Sequence, residues 1–292
     1  MASQLVEQLF NGLIAGSSYA LTALGLTLIY GVLGIVNFAH GEMYMLGAYL
    51  VFFLVATLHV DYFFALLLVF GAGLLFGPLV NWLVFEPFQP RRRISTLISS
   101  LGLSIVLSNF AILFFGAAPL FLTVPFSERV VNWVGIGISV QRLFVLLVAL
   151  LLLTGTWFCL QKTRFGKALR AVAENDEAAA LLGIKPKRVH TATVALATAL
   201  AGTAGALFAP LFVINPYIGN LVGLKAFAIV IVGGFGSVKG SIFAALLLGI
   251  IESLATGFIS SAYRDAIAFT ILLVALIIRP QGIVREISSG SM

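Results

Sequence analysis

Four long stretches of this chain carry no charged side chain, and they limit its fold more than any other feature. No Asp, Glu, Lys or Arg occurs between Glu7 and Glu42, Asp61 and Glu86, Arg93 and Glu128, or Arg188 and Lys225. Each stretch exceeds the roughly 20 apolar residues that carry a helix across a bilayer. Only 10% of all residues are charged and 61% are hydrophobic, whereas a soluble domain carries about 25% charged residues. Too few polar groups remain to cover a water-facing surface. Leu, Ala and Ile fill the runs continuously, without the alternation that marks a barrel strand. A helix satisfies its backbone polar groups within the segment, as lipid requires. The expected fold is therefore all-α, a polytopic transmembrane bundle of about 8–10 helices including broken or re-entrant segments, in a single domain.

The hydropathy pattern predicts spans at 5–30, 41–58, 62–85, 95–116, 141–160, 190–213, 222–236, 240–260 and 266–279. Basic residues set the expected orientation, because cytoplasmic loops carry an excess of Lys and Arg. Segment 86–94 holds Arg91, Arg92 and Arg93. Segment 161–189 holds Lys162, Arg164, Lys167, Arg170, Lys185, Lys187 and Arg188. The tail holds Arg279 and Arg285. With these inside, Lys239 falls on the same face, while Arg129, Arg142, Lys225 and Arg264 fall on or near the other. This predicts an N-terminus outside and a C-terminus in the cytoplasm, in a bacterial-type inner membrane. It also accounts for the net charge of +6 without invoking nucleic acid; the surrounding partner is lipid.

Cys159 is the single cysteine, so there is no disulfide framework, and no metal site is expected. The N-terminus has Glu7 and no basic region, unlike a cleaved signal peptide. Two segments interrupt the apolar pattern: residues 31–42, with Asn37, His40 and Glu42, and residues 233–240, with Gly233 and Gly234. Irregular backbone at membrane depth survives only beside a cavity or within protein, so paired breaks point towards a translocation path. Asn37, His40 and Glu42 read either as lining that path or its gate, or as stabilising a helix break at the membrane edge. Glu252, alone in its span, reads either as path-lining or as packed in the bundle beside a donor such as Lys225 or Arg264. Glycine pairs at four-residue spacing, Gly12/Gly16, Gly73/Gly77 and Gly236/Gly240, predict close helix packing.

The longest polar insertion is 162–188. Within it, Asn175 or Asp176 can cap a short helix through Ala178, Ala179, Ala180, Leu181 and Leu182. Gly183 suits its end, and Pro186 stops continuation. Its exposed Ala/Leu surface calls for cover, from a cytoplasmic partner or from lipid headgroups held by the basic flanks.

At this insertion the sequence resembles permeases of the branched-chain amino-acid ABC importer family (the LivH type). Arg170-Ala171-Val172-Ala173-Glu174-Asn175-Asp176 and Ala180-Leu181-Leu182-Gly183-Ile184 are similar to its coupling loop. Gly16-Ser17-Ser18-Tyr19-Ala20-Leu21 with Gly34-Ile35-Val36-Asn37-Phe38-Ala39-His40-Gly41-Glu42 resembles its first block. Leu224-Lys225-Ala226-Phe227, with Gly233-Gly234-Phe235-Gly236-Ser237 and Gly240, resembles its last. The resemblance implies a homologous second permease or a second copy, two cytoplasmic ABC ATPase subunits and an extracytoplasmic solute-binding protein. It also implies that Glu174, Asp176, Ala180, Leu181, Leu182 and Gly183 couple to an ATPase. The solutes of such systems include branched-chain and other amino acids, urea, short amides and aromatic carboxylates.

The chain lacks G-x-x-x-x-G-K-[ST], so no backbone cradle for phosphates is encoded. No cofactor bound by this chain and no catalytic residue is expected; ATP and Mg would be used by the partners. The rival readings are a stand-alone secondary transporter, a passive channel and, with no catalytic constellation to support it, a membrane enzyme. The orientation is testable in a Cys159→Ser background. A cysteine at Glu174 should react with an impermeant maleimide from the inner face alone, and one at His59 from the outer face alone.

Overall fold

The structure, a computed structural model, describes residues 2–88, 93–124, 129–133 and 136–278. It is an all-α polytopic bundle, and among the described residues nine helices fall on the nine spans read from the sequence. These are α1 (Ala2–Leu33), α2 (His40–Phe52), α3 (Tyr62–Val80), α4 (Arg93–Phe115), α5 (Val140–Lys162), α8 (Pro186–Phe208), α9 (Ile218–Gly233), α10 (Val238–Phe258) and α11 (Arg264–Ile278). Between α5 and α8 lie two short polar-segment helices, α6 (Arg164–Glu174) and α7 (Asp176–Leu181). Among the described residues seven helices are long and apolar enough to cross a membrane, and α9, at 16 residues, is shorter. Arg91, Arg92, Arg279 and Arg285, which enter the orientation argument, lie outside the described residues.

Polar side chains cap the starts of α3, α5, α6, α7 and α10. Asp61 accepts from the N–H groups of Phe63 and Phe64, Ser139 from Arg142, Thr163 from Gly166, Asn175 from Ala178 and Ser237 from Gly240. Each supplies a partner to a first-turn donor that the helix itself leaves unpaired. The helices α2 and α3 each end in a π-helical turn, at Phe53–Thr57 and Asn81–Phe85.

The core is a set of backbone-close helix pairs. α1 and α10 run antiparallel: a Cβ on Gly12 would meet the backbone of Ile250, one on Gly16 that of Leu246, and one on Gly249 that of Gly16. α3 packs on α8 in the same way, with Gly73 on Ala199 and Gly77 on Ala195. α2 packs on α8 through Gly47 against Gly202, and Gly205 against Tyr44. Lipid competes equally for apolar side chains, so this close approach is where packing energy is gained. The sequence pairs Gly12/Gly16 and Gly73/Gly77 are used between helices. Gly240 instead closes on Gly233 across the α9–α10 turn.

Two elements escaped the sequence reading. One is a hairpin ahead of α5, β1 (Val130–Trp133) paired antiparallel with β2 (Ile136–Ser139), Val131 opposite Ile138. The other is α6, whose buried Leu169 and Val172 hold it to the bundle; the three-residue spacing of that pair was the available signal.

The glycine contacts rank the sites. Gly47→Ala puts a methyl group into the Gly202 backbone and should cost about 1–3 kcal/mol. Gly155→Ala, with nothing within 4 Å of the added carbon, should be neutral or stabilise by about 0.5–1 kcal/mol. Thermal unfolding in detergent compares them, and equal melting temperatures would sink the ranking.

Candidate functional site: two helix starts and a carboxylate

The first break interrupts the helical run at residues 34–39. α1 ends at Leu33, Gly34 turns with φ +64°, and the chain climbs back along α1 before α2 begins. His40 opens α2, and its Nε2 lies 3.0 Å from the carbonyl oxygen of Thr22. Thr22 precedes the end of α1 by eleven residues, so α2 starts about 16 Å inside the bundle, at 1.5 Å per residue. The turn before it is built by Asn37, whose Oδ1 accepts from Ala39 N at 3.0 Å and whose carbonyl accepts from His40 N at 3.2 Å.

The same hydrogen-bonded turn recurs not in 233–240 but at the approach to α9. Asn215 Oδ1 accepts from Tyr217 N at 2.9 Å, and its carbonyl accepts from Ile218 N at 3.2 Å. The same asparagine turn thus precedes α2 and α9, three residues ahead of each. The helices then meet at their starts: a Cβ on Gly41 would overlap the Gly219 carbonyl, and one on Gly219 would press on Gly41 and Glu42. From there α2 runs towards the end of α4, where Tyr49 stacks on Phe115 at 4.5 Å. α9 runs the other way, to the α9–α10 turn beside the end of α1, where Phe235 lies 4.3 Å from Tyr30. The two helix starts therefore cross inside the bundle, with Gly41 seated against Gly219 and Gly223 of α9.

Glu42 sits in that junction, 1% exposed. Ser104 of α4 donates to its Oε1 at 3.0 Å, while Oε2 has no hydrogen-bond partner. Ser104 belongs to a buried polar stripe on α4 with Thr96, Ser100 and Ser108, and Ser100 accepts from Phe38 N at 3.2 Å. Asn37, His40 and Glu42 are thus brought together. Gly233 and Gly234 are not: they form the α9–α10 turn, Gly234 at φ +101°.

Glu252, 0% exposed, pairs with both donors weighed for it. Its Oε1 lies 2.8 Å from Lys225 Nζ, and its Oε2 lies 3.0 Å from Arg264 Nε. Lys225 also meets Asp265 at 2.7 Å. Tyr19 donates to Glu252 at 2.8 Å and accepts from Lys225 and Arg264. Two cations and two anions balance, tying α1, α9, α10 and α11 together.

The polar insertion presents its apolar tip outward. Asn175 caps α7, Gly183 ends it at φ +83°, and Pro186 opens α8. Ala179 is buried, whereas Leu181 is 90% and Leu182 80% exposed. Glu174, Asp176, Ala180 and Gly183 are also exposed. The insertion is braced by Asp176 to His190 at 3.3 Å and by Arg170, which donates to the Leu160 carbonyl. Among the described residues no group of His, Cys, Asp and Glu is placed to hold a metal.

Residues 8–276 match the family described as branched-chain amino acid transport system / permease component. The chain is 35% identical over 294 residues to the high-affinity branched-chain amino acid transport system permease protein LivH of Escherichia coli (strain K12), covering 95% of this chain and 94% of that one. It is 36% identical over 293 residues to the corresponding protein BraD of Pseudomonas aeruginosa, covering 95% of each. Among solved structures, PsaBC from Streptococcus pneumoniae in complex with Fab superposes with a TM-score of 0.52 at 17% identity. That match covers 96% of this chain and 97% of that one, and it speaks for the fold alone.

The ion network makes its own prediction. Glu252→Gln strips a fully buried anion from two cations and should destabilise the protein by about 3–5 kcal/mol. Asp265→Asn removes a half-exposed partner and should cost about 1 kcal/mol or less. Unfolding of the purified variants measures both, and equal losses would contradict the assignment of Glu252 as the centre.

Proposed function

The chain belongs to the permease-component family of branched-chain amino acid transport systems, and on that premise we propose that it is a membrane subunit of an ATP-binding-cassette importer. Its solutes are branched-chain amino acids or closely related small amino-acid-like compounds, moved into the cytoplasm. The observation that carries the reading is the helix α7. A capped helix held by Ala179 and Asp176 has no structural need for two leucines in water at its end. A groove on an ATPase subunit is the cover we assign to Leu181 and Leu182.

In this reading the chain pairs with a homologous permease or a second copy around a central path. Two cytoplasmic ATPase subunits bind ATP and Mg, and an extracytoplasmic binding protein delivers solute. The chain itself hydrolyses nothing, consistent with a sequence that lacks a phosphate-binding loop. The N-terminus lies outside and α6–α7 in the cytoplasm, as the basic residues of 161–189 favour. Closure of the ATPases moves α7, and α6 and α8 on either side transmit the motion. The coupling resides in the different contacts α7 makes in the two states.

Co-purification tests this. ATPase subunits should accompany the native chain and be lost when Leu181 and Leu182 are both replaced by Asp, with the bundle intact by gel filtration. A native chain that purifies without ATPases and still moves solute without ATP would replace the importer reading with a channel or secondary transporter.

A further inference from the structure

The two buried glutamates are answered in different ways. Glu252 has Lys225 and Arg264 as counter-ions. Glu42 forms no ion pair among the described residues, and His40, two positions earlier, has turned its Nε2 to the Thr22 carbonyl. Ser108, one turn on from Ser104, also lies beside the carboxylate, while Oε2 makes no direct hydrogen bond and faces the first turn of α9, where Gly219 leaves the approach free of a side chain.

Each helix start carries about half a positive charge, and α2 and α9 both begin at this carboxylate. In the arrangement seen here both helix starts lie beside the carboxylate, and the hydroxyl of Ser104 donates to it. Those ends touch through Gly41 and Gly219, so no solute fits between them. If α2 and α9 part, that arrangement is lost on both sides. Glu42 then needs a cation, and the first-turn N–H groups of α9 need an anion. A zwitterionic head group carries both, one carbon apart. An intramembrane carboxylate with no counter-ion of its own is a functional group by default, because burial of a lone charge is otherwise costly.

We propose that Glu42 and the N-terminal turn of α9 form a transient site for the head group of an α-amino acid. The solute enters between them as they separate. Its ammonium binds Glu42 Oε2, and its carboxylate binds the α9 N–H groups. The hydroxyl of Ser104 holds the carboxylate of Glu42 in place. The rings of Phe38 and Phe227, 5.9 Å apart on the neighbouring turns, offer apolar surface to an aliphatic side chain. The site rests on the importer reading and narrows it: urea, amides and carboxylates without an ammonium leave Glu42 unanswered.

The test uses the assembled complex in proteoliposomes with two readouts. The first is ATP-driven uptake of leucine: Glu42→Gln should lower it at least about tenfold, as loss of one member of a buried charge pair does, and Glu42→Asp should retain more. The second needs no variant. Leucine should raise the melting temperature of the wild-type complex without its binding protein, and 4-methylpentanoate, the same skeleton without the ammonium, should not. ATP-driven uptake that survives Glu42→Gln unchanged, or equal stabilisation by the two ligands, overturns this site alone. A wild-type complex that takes up no solute with ATP overturns the importer reading and the site with it.

Discussion

Close backbone approach through glycine is the constraint on which this architecture depends. In lipid, apolar side chains gain little by leaving the surroundings for a neighbouring helix, so the energy must come from fit. Gly16 against Gly249, Gly47 against Gly202 and Gly41 against Gly219 bring helix axes closer than any side chain allows. The third contact does more than pack. It lets two helices start against each other within the bundle, an arrangement that exposes polar first turns and therefore needs a protein interior around it.

The interior answers that need with polar groups at fixed places. Asn37 and Asn215 close the turns before the two helix starts, Ser104 and Glu42 meet them, and the α4 stripe continues the polar surface. A second polar set, Tyr19, Lys225, Glu252, Arg264 and Asp265, lies on the other side of α9 and is self-contained. The two sets share α9: one at its first turn, the other about two turns on. A helix held by charge in its middle and by dipole contact at its start has one firm anchor and one that can part.

The same division appears at the surface. α7 is fixed on one side by Ala179 and by Asp176 to His190, and left open on the other at Leu181 and Leu182. Rigid attachment with an uncovered apolar tip is what the proposed coupling role asks of α7.

The hydropathy of the runs placed the apolar helices, because the cost of burying polar groups in lipid is written residue by residue. The α7 cap, the Gly183 turn and the break after α1 were equally legible, since local backbone chemistry decides them. What sequence could not decide was which distant groups meet. Glu42 and Glu252 look alike as lone carboxylates in apolar runs, and only the fold gives one two cations and the other two helix ends. Likewise composition paired the break after α1 with 233–240, where glycines make the α9–α10 turn, whereas the turn around Asn215, which shares the hydrogen-bond pattern of Asn37, resembled a loop. Hydrogen-bond geometry, not residue type, makes those turns equivalent, and that geometry exists only once α2 and α9 are brought together by the glycines at their crossing.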